Sequence, residues 1–304
     1  MSSYRFCRTD DIELLVDALN RCWAPYFPDE PPMTPAAFKR SIRDLQVWCS
    51  SCMVAFAGSD PIGVLIGAKR ASATLVHKIA VHPDHGRQGH GRHMLESLGS
   101  KLAILGPPRI VAEVPETLLP ARELFRKCGY VEEAPLTDYV LPSDEHDLRE
   151  GGSASLAEAP AGAEASRFVI PVTVDDLAAN GLLGAIAPSS SGSASQVDPQ
   201  VCWERAVETL SARKDDIEGL ALASDERIEA YVLSRGAEIV ALRSLVEDGG
   251  ARLRQLLSRR RAQTQGSFTF PKVRPNEMGR ERLEALGFRP AARHLLDATS
   301  ARSA

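Results

Sequence analysis

Between Leu75 and Met94 the chain reads LVHKIAVHPDHGRQGHGRHM, with Gly86, Gly89 and Gly91 set beside Arg87 and Arg92. Closely spaced glycines let the main chain approach a ligand, and the opening turn of a helix offers N–H groups without intrahelical partners at the positive end of its dipole. A pyrophosphate suits such a loop, and two guanidinium groups could add charge-assisted contacts. It is not a P-loop, because no Gly-Lys-Ser/Thr follows, and it lacks the G-x-G-x-x-G and later acid of a dinucleotide fingerprint. The apolar run Leu75 to Val81 before it, and Met94, Leu95, Leu98, Leu102 and Leu105 after it, predict strand, loop and helix. His82, His85, His90 and His93 crowd the loop without the fixed spacing or Cys partners of a zinc site, and Cys49-x-x-Cys52 has no second pair. No metal is expected.

Ile79-Ala80-Val81-His82-Pro83, leading into Gly86-Arg87-Gln88-Gly89-His90-Gly91-Arg92, resembles the acyl-CoA loop of the GNAT N-acetyltransferases. Their signature is Arg/Gln-x-x-Gly-x-Gly/Ala after a strand ending in an apolar-Ala-Val-x-Pro run; here Gly86 stands at the Arg/Gln position. A second segment, Ala121 to Tyr130, is similar to the family's Ala-x-x-Leu-Tyr-x-Lys-x-Gly-Phe, with Phe125 at the tyrosine position. The resemblance covers the first 142 residues. It implies an acetyl-CoA-dependent N-acetyltransferase in which an amine attacks directly in a ternary complex. It also implies coenzyme contacts from Ile79, Ala80, Val81, Arg87, Gln88, Gly89, His90, Gly91 and Arg92, and an acceptor site under the segment that holds Tyr26, Phe27, Asp29 and Glu30.

Acyl transfer from a thioester needs little help for the leaving group, since a thiol of pKa near 8.5 departs readily. The amine is harder to activate, because at neutral pH it is mostly protonated, so a base matters more than an acid. Glu113 matches in spacing the base of the ribosomal-protein alanine N-acetyltransferases of this superfamily; His77, on the preceding strand, is the other candidate. Phe125 cannot donate a proton. Tyr139 or water takes the acid role, the thiolate leaves unassisted, or the domain binds CoA without turnover as a sensor or scaffold.

A chain of 304 residues suits two domains, and 44% hydrophobic with 25% charged residues is the composition of a globular protein. A net charge of −4 argues against a general nucleic-acid binder, and no run approaches the roughly 18 apolar residues of a membrane helix. With no apolar signal core at MSSYRFCRTDDIE and six scattered cysteines, the expected compartment is the cytoplasm, with reduced thiols.

Five prolines between Ala24 and Pro35 exclude regular helix there. Residues 143–166 lose periodicity and fill with Glu, Ala, Gly and Ser, the composition of a flexible linker. Beyond it the element order repeats, with Leu283-x-x-Leu286-Gly287-Phe288 answering Phe125-x-x-Cys128-Gly129-Tyr130, so an internal duplication is inferred. The copy has no phosphate loop, and Glu247 and Asp248 stand where an anion would bind. The expectation is an α/β (α+β) protein of two tandem GNAT-like domains, 1–142 and 167–299, the second degenerate. Each would be a mixed, largely antiparallel sheet with helices on both faces. The expected acceptor is an amine-bearing small molecule or a protein N-terminus.

Overall fold

The computed structural model describes residues 2–143, 167–183, 201–264 and 266–301. All but the first residue of the expected linker, and a helix start expected at Asp198-Pro199, lie outside the described residues. In order, the first half forms β1 (Ser2–Phe6), α1 (Ile12–Cys22), α2 (Pro35–Leu45), β2 (Met53–Ala57), β3 (Asp60–Lys69), β4 (Thr74–Val81), α3 (His90–Leu105), β5 (Arg109–Pro115), α4 (Leu119–Lys127) and β6 (Val131–Leu141). The second half forms β7 (Phe168–Val172), α5 (Val174–Ala179), α6 (Val207–Ala212), β8 (Glu218–Ala223), β9 (Ile228–Arg235), β10 (Glu238–Ser244), α7 (Ala251–Arg261), β11 (Phe268–Val273), α8 (Arg280–Ala285) and β12 (Arg289–Ser300).

Local chemistry sets these limits. Pro35 opens α2 behind Thr34, whose side chain accepts from the Ala37 N–H at 3.1 Å. Gly106 ends α3, its N–H bonded to the Leu102 carbonyl, and Pro107 and Pro108 prevent resumption. The proline-rich segment after α1 holds a single 3-10 turn at Ala24–Tyr26.

Residues Met1–Pro135 and His294–Ala304 form one compact unit, and Leu136–Arg293 the other. In the first, β1, β2, β3 and β4 pair antiparallel in that order, β5 joins β4 in parallel, and residues 294–300 of β12 pair antiparallel with β5. Met94, Leu95, Leu98 and Leu102 of α3 pack on Leu65, Ile110, Ala112 and Val114 together with Phe125. Val64 and Ile66 point to the opposite face and are equally buried, where α1 lies on β3. In the second unit, β7, β8, β9 and β10 are antiparallel, β11 joins β10 in parallel, and residues 137–141 of β6 pair antiparallel with β11. Ala230 and Val232 face α7, while Tyr231 and Leu233 face α5 and α6, so helices cover both sides here too.

The compact units depart from the expected segments in their last strands. β6 runs unbroken from Val131 through Pro135 to Leu141, so its second half leaves the first unit and pairs with β11. The closing strand of the first unit comes from the end of the chain. Among the described residues no helix is long and apolar enough to cross a membrane.

Candidate acyl-CoA site

The first unit's central feature is a parting of two strands. β4 and β5 pair only at Thr74 with Ile110 and Leu75 with Val111, after which the strands separate. A β-bulge accounts for the divergence: Ile66 and Gly67 of β3 face Lys78 and Val76, leaving His77 as the inserted residue. A bulge bends its strand and sharpens the local twist, here turning the last residues of β4 away from β5. The bulge also resets side-chain parity. Val76, Ile79 and Val81 pack toward α3, and Lys78 projects to the face occupied by α1. On β5, Ala112 and Val114 belong to the α3 core, so half-buried Glu113 projects to the same face as Lys78. His77, the other candidate base, is the residue that bends β4.

At the end of β4 the chain turns into α3. Gly89 is the residue before the helix, with φ of 88°, and no side chain caps the start. The amides of the first turn therefore keep the orphan character of a helix N-terminus. Arg87, also at positive φ (63°), and Gln88 are exposed beside it. The two glycines serve different ends. Gly89 supplies a left-handed backbone in open space, whereas a Cβ on Gly91 would lie 3.1 Å from Leu124 Cδ2, so Gly91 allows α3 to approach α4.

The remaining residues expected at the loop divide. Ile79, Ala80 and Val81 line the parted end of β4. Arg92 is turned along α3 onto Glu96 at 2.6 Å. The His90 side chain is buried, with Nδ1 2.6 Å from the Tyr4 hydroxyl on β1, so only its main chain belongs to the first-turn cradle. Burial, and secondarily His85 and His93, hold its imidazole below the usual range. Tyr139, the candidate acid, belongs to the core of the second unit, 5% exposed and opposite Phe270 on β11. The exchange of last strands is the reason. Phe125 is buried edge-on against Tyr130, centroids 4.9 Å apart, and offers no hydroxyl. Among the described residues no group of three His, Cys, Asp or Glu side chains is placed to hold a metal.

Over β4 lies a set that periodicity does not reveal. The Tyr26 hydroxyl donates to the Val81 carbonyl at 2.8 Å, Trp23 stacks on Phe27, and Lys78 pairs with Glu30 at 3.1 Å. Of the residues expected near an acceptor, Tyr26 and Glu30 therefore meet β4 or its side chains, and Phe27 meets Trp23.

The second unit repeats the parting, β10 and β11 pairing only at Glu238 with Thr269. Its helix start is closed. The Asp248 carboxylate accepts from the N–H groups of Gly250 and Arg252 at 2.9 and 2.8 Å and pairs with the Arg252 guanidinium at 3.0 Å. Burial raises this carboxyl, but the Arg252 N–H and guanidinium and the Gly250 N–H outweigh it and hold it below the ordinary range. A protein carboxylate thus occupies the anion position of α7.

The model of the acetyltransferase (GNAT) domain family matches residues 48–132, which span β2 through α4 and reach into β6. No curated sequence matches the chain. A tandem GNAT protein from the clavulanic acid biosynthesis pathway superimposes with a TM-score of 0.62 at 16% identity, covering 100% of both chains. A GCN5-related N-acetyltransferase from Sphaerobacter thermophilus gives 0.59 at 13% identity, over 99% of this chain and 96% of that one. A probable N-acyltransferase from Enterococcus faecalis V583 gives 0.63 at 11% identity, over 100% and 73%. At such identities these structures speak for the fold alone. The family match is thus to residues 48–132, and the fold of the described residues is that of a tandem two-domain GNAT protein.

Proposed function

We propose that the first unit binds acetyl-CoA and transfers its acetyl group to a primary amine by direct attack. The observation that carries this reading is the parting of β4 from β5 beside the uncapped start of α3. The donor set fits a diphosphate: first-turn amides of α3, the main chain about Gln88 and Gly89, and exposed Arg87. The edge of Ile79, Ala80 and Val81 fits the amide-bearing arm that follows, since β4 no longer pairs with β5 there.

In this scheme Glu113 takes the proton of the bound ammonium, directly or through a water. The amine nitrogen then attacks the thioester carbonyl carbon, the C–N bond forms, the nitrogen gives up its second proton to water and the C–S bond breaks. The thiolate is protonated by solvent, Phe125 having no proton to give. Supplying the base is the larger demand, because the thiol is already a good leaving group. The acceptor is an amine-bearing small molecule or a protein N-terminus.

Calorimetry with acetyl-CoA, followed by free-thiol release over an amine panel, tests both steps; absence of binding heat would end the proposal. Buried Phe125 favours a second reading, a CoA-binding protein without turnover, which predicts the heat but no thiol release.

A further inference from the structure

The first turn of α3 carries an interior histidine that the acyl-transfer scheme leaves unused. His90, its first residue, is 5% exposed, and Tyr4 of β1 touches the turn twice. The Tyr4 hydroxyl is 2.6 Å from His90 Nδ1, and the Tyr4 ring lies 3.9 Å from that of His93, three residues on. Positions three apart share a helix face, so β1 holds the turn from one side. The other nitrogen of His90, Nε2, is buried with no hydrogen-bond partner among the described residues. Such an orphan is uncommon in a folded interior and costs stability.

No countercharge accompanies this ring. The ionisable groups that bear on it are the Tyr4 phenol from β1, His93 from α3 and His85 from the 3-10 turn Pro83–His85; none is a carboxylate. Burial, then the two histidines, keep the imidazole below its usual range, so it is neutral at pH 7. Tyr4 suits either charge state. A phenol both donates and accepts, so it can give its proton to bare Nδ1 of the neutral ring and accept from Nδ1–H of the charged one.

A diphosphate would supply the missing charge. Anions held by the first-turn amides lie within about 10 Å of an imidazole carried on the same turn, about one Debye length at 0.1 M salt. Two negative charges at about 8 Å, in a medium between protein surface and water, favour the imidazolium by roughly 5- to 30-fold.

We infer that His90 is a proton-linked positioning residue of the coenzyme cradle: its imidazole takes up a proton from the buffer when the diphosphate docks on its own helix turn, and coenzyme affinity rises as pH falls. This adds regulation to the site of the acyl-transfer reading and rests on that reading. The free ring charges only below the usual histidine range, and the bound ring at higher pH. Affinity is therefore level in alkali, climbs as pH falls through the bound-form value, and is level again below the free-form value.

The test uses the full chain. Acetyl-CoA heat is measured first; its absence would remove the acyl-transfer reading and this inference with it. Acetyl-dephospho-CoA is then titrated, because it keeps the diphosphate but lacks the 3′-phosphate, a group that itself titrates near about pH 6. Runs across the histidine range in buffers of differing ionisation enthalpy count the protons taken up. Uptake should peak at roughly 0.4–0.7 proton, with affinity gaining roughly 5- to 30-fold toward acid. His90→Asn, which keeps a hydrogen-bonding atom for Tyr4 near the Nδ1 position but cannot titrate, should show no uptake and a flat pH profile. A parent protein that binds the probe without proton uptake, or a His90→Asn variant that retains the uptake, would overturn the linkage and leave the acyl-transfer reading standing. Should the variant not fold by circular dichroism, or the dephospho form not bind, imidazole titrations of the parent by NMR with acetyl-CoA decide. A His90 midpoint higher in the complex than in the free protein supports the inference, and an unmoved one ends it.

Discussion

Gly91 separates packing from ligand binding in the first unit. A methyl placed there lies 3.1 and 3.6 Å from the two δ carbons of Leu124 and 3.9 Å from Val81 Cγ2. In Gly91→Ala the gain in helix propensity, about 1 kcal/mol, opposes a displacement of the Leu124 side chain by a few tenths of an ångström. Stability should stay within about 1 kcal/mol of the parent. Gly91→Leu instead drives a branched group into a closed gap between α3 and α4, an overpacking that costs about 1–3 kcal/mol and is relieved by moving α3. The first-turn amides travel with that helix. Each charge-assisted hydrogen bond to phosphate contributes about 1.5–3 kcal/mol, so misplacing a single amide lowers acetyl-CoA affinity by roughly 10- to 150-fold. Calorimetry on both variants reads the affinity, and circular dichroism with thermal melts reads the fold. A folded Gly91→Leu protein with unaltered affinity would show that the start of α3 does not hold the ligand.

Glu113→Gln should lower kcat by roughly 10²- to 10⁴-fold without weakening acetyl-CoA binding, and should remove the basic group from the pH profile of turnover; an unchanged profile excludes Glu113 as the base. Asp248→Asn should cost about 1 kcal/mol at neutral pH in urea melts, the worth of a helix cap. Because the folded-state pKa of Asp248 is depressed, its contribution is complete above the ordinary carboxyl range and is lost as pH falls through the folded value. The difference between parent and Asn variant should therefore shrink in acid; a constant difference would mean that the charge is not involved. Leu98→Ala, at a side chain with no exposure in the α3 core, should destabilise by about 2–5 kcal/mol in the same melts, and a smaller loss would mean that this core relaxes to fill the gap.

Much of the first unit is legible because its signals are local. The apolar run before Gly86, the three glycines and the helical spacing from Met94 to Leu105 delimit β4, the loop and α3 without knowledge of any partner. The bulge at His77 is not legible, since it is a property of the pairing between β3 and β4 and leaves no mark in composition. Nor does spacing show that Lys78 reaches back to Trp23 and Glu30. His90 reads as a loop residue from its neighbours, yet Tyr4 on β1 turns its ring inward. The strand exchange escapes for a related reason: nothing in Val131 to Leu141 marks the point at which its partners change. Thr173 with Asp176 is a local signal, a spacing whose side chains and main chains form a reciprocal capping box at the start of α5.

The origin of β12 bears on how the polypeptide matures. Residues 294–300 cover the outer edge of β5, so on the nascent chain that edge has no neighbour until a segment far downstream has been synthesised. An open edge is a template for pairing with other chains, and closing it late is slow because the contact spans most of the sequence. A fragment cut after residue 142 would carry β6 without β11 and β5 without β12, and should self-associate rather than behave as an independent module.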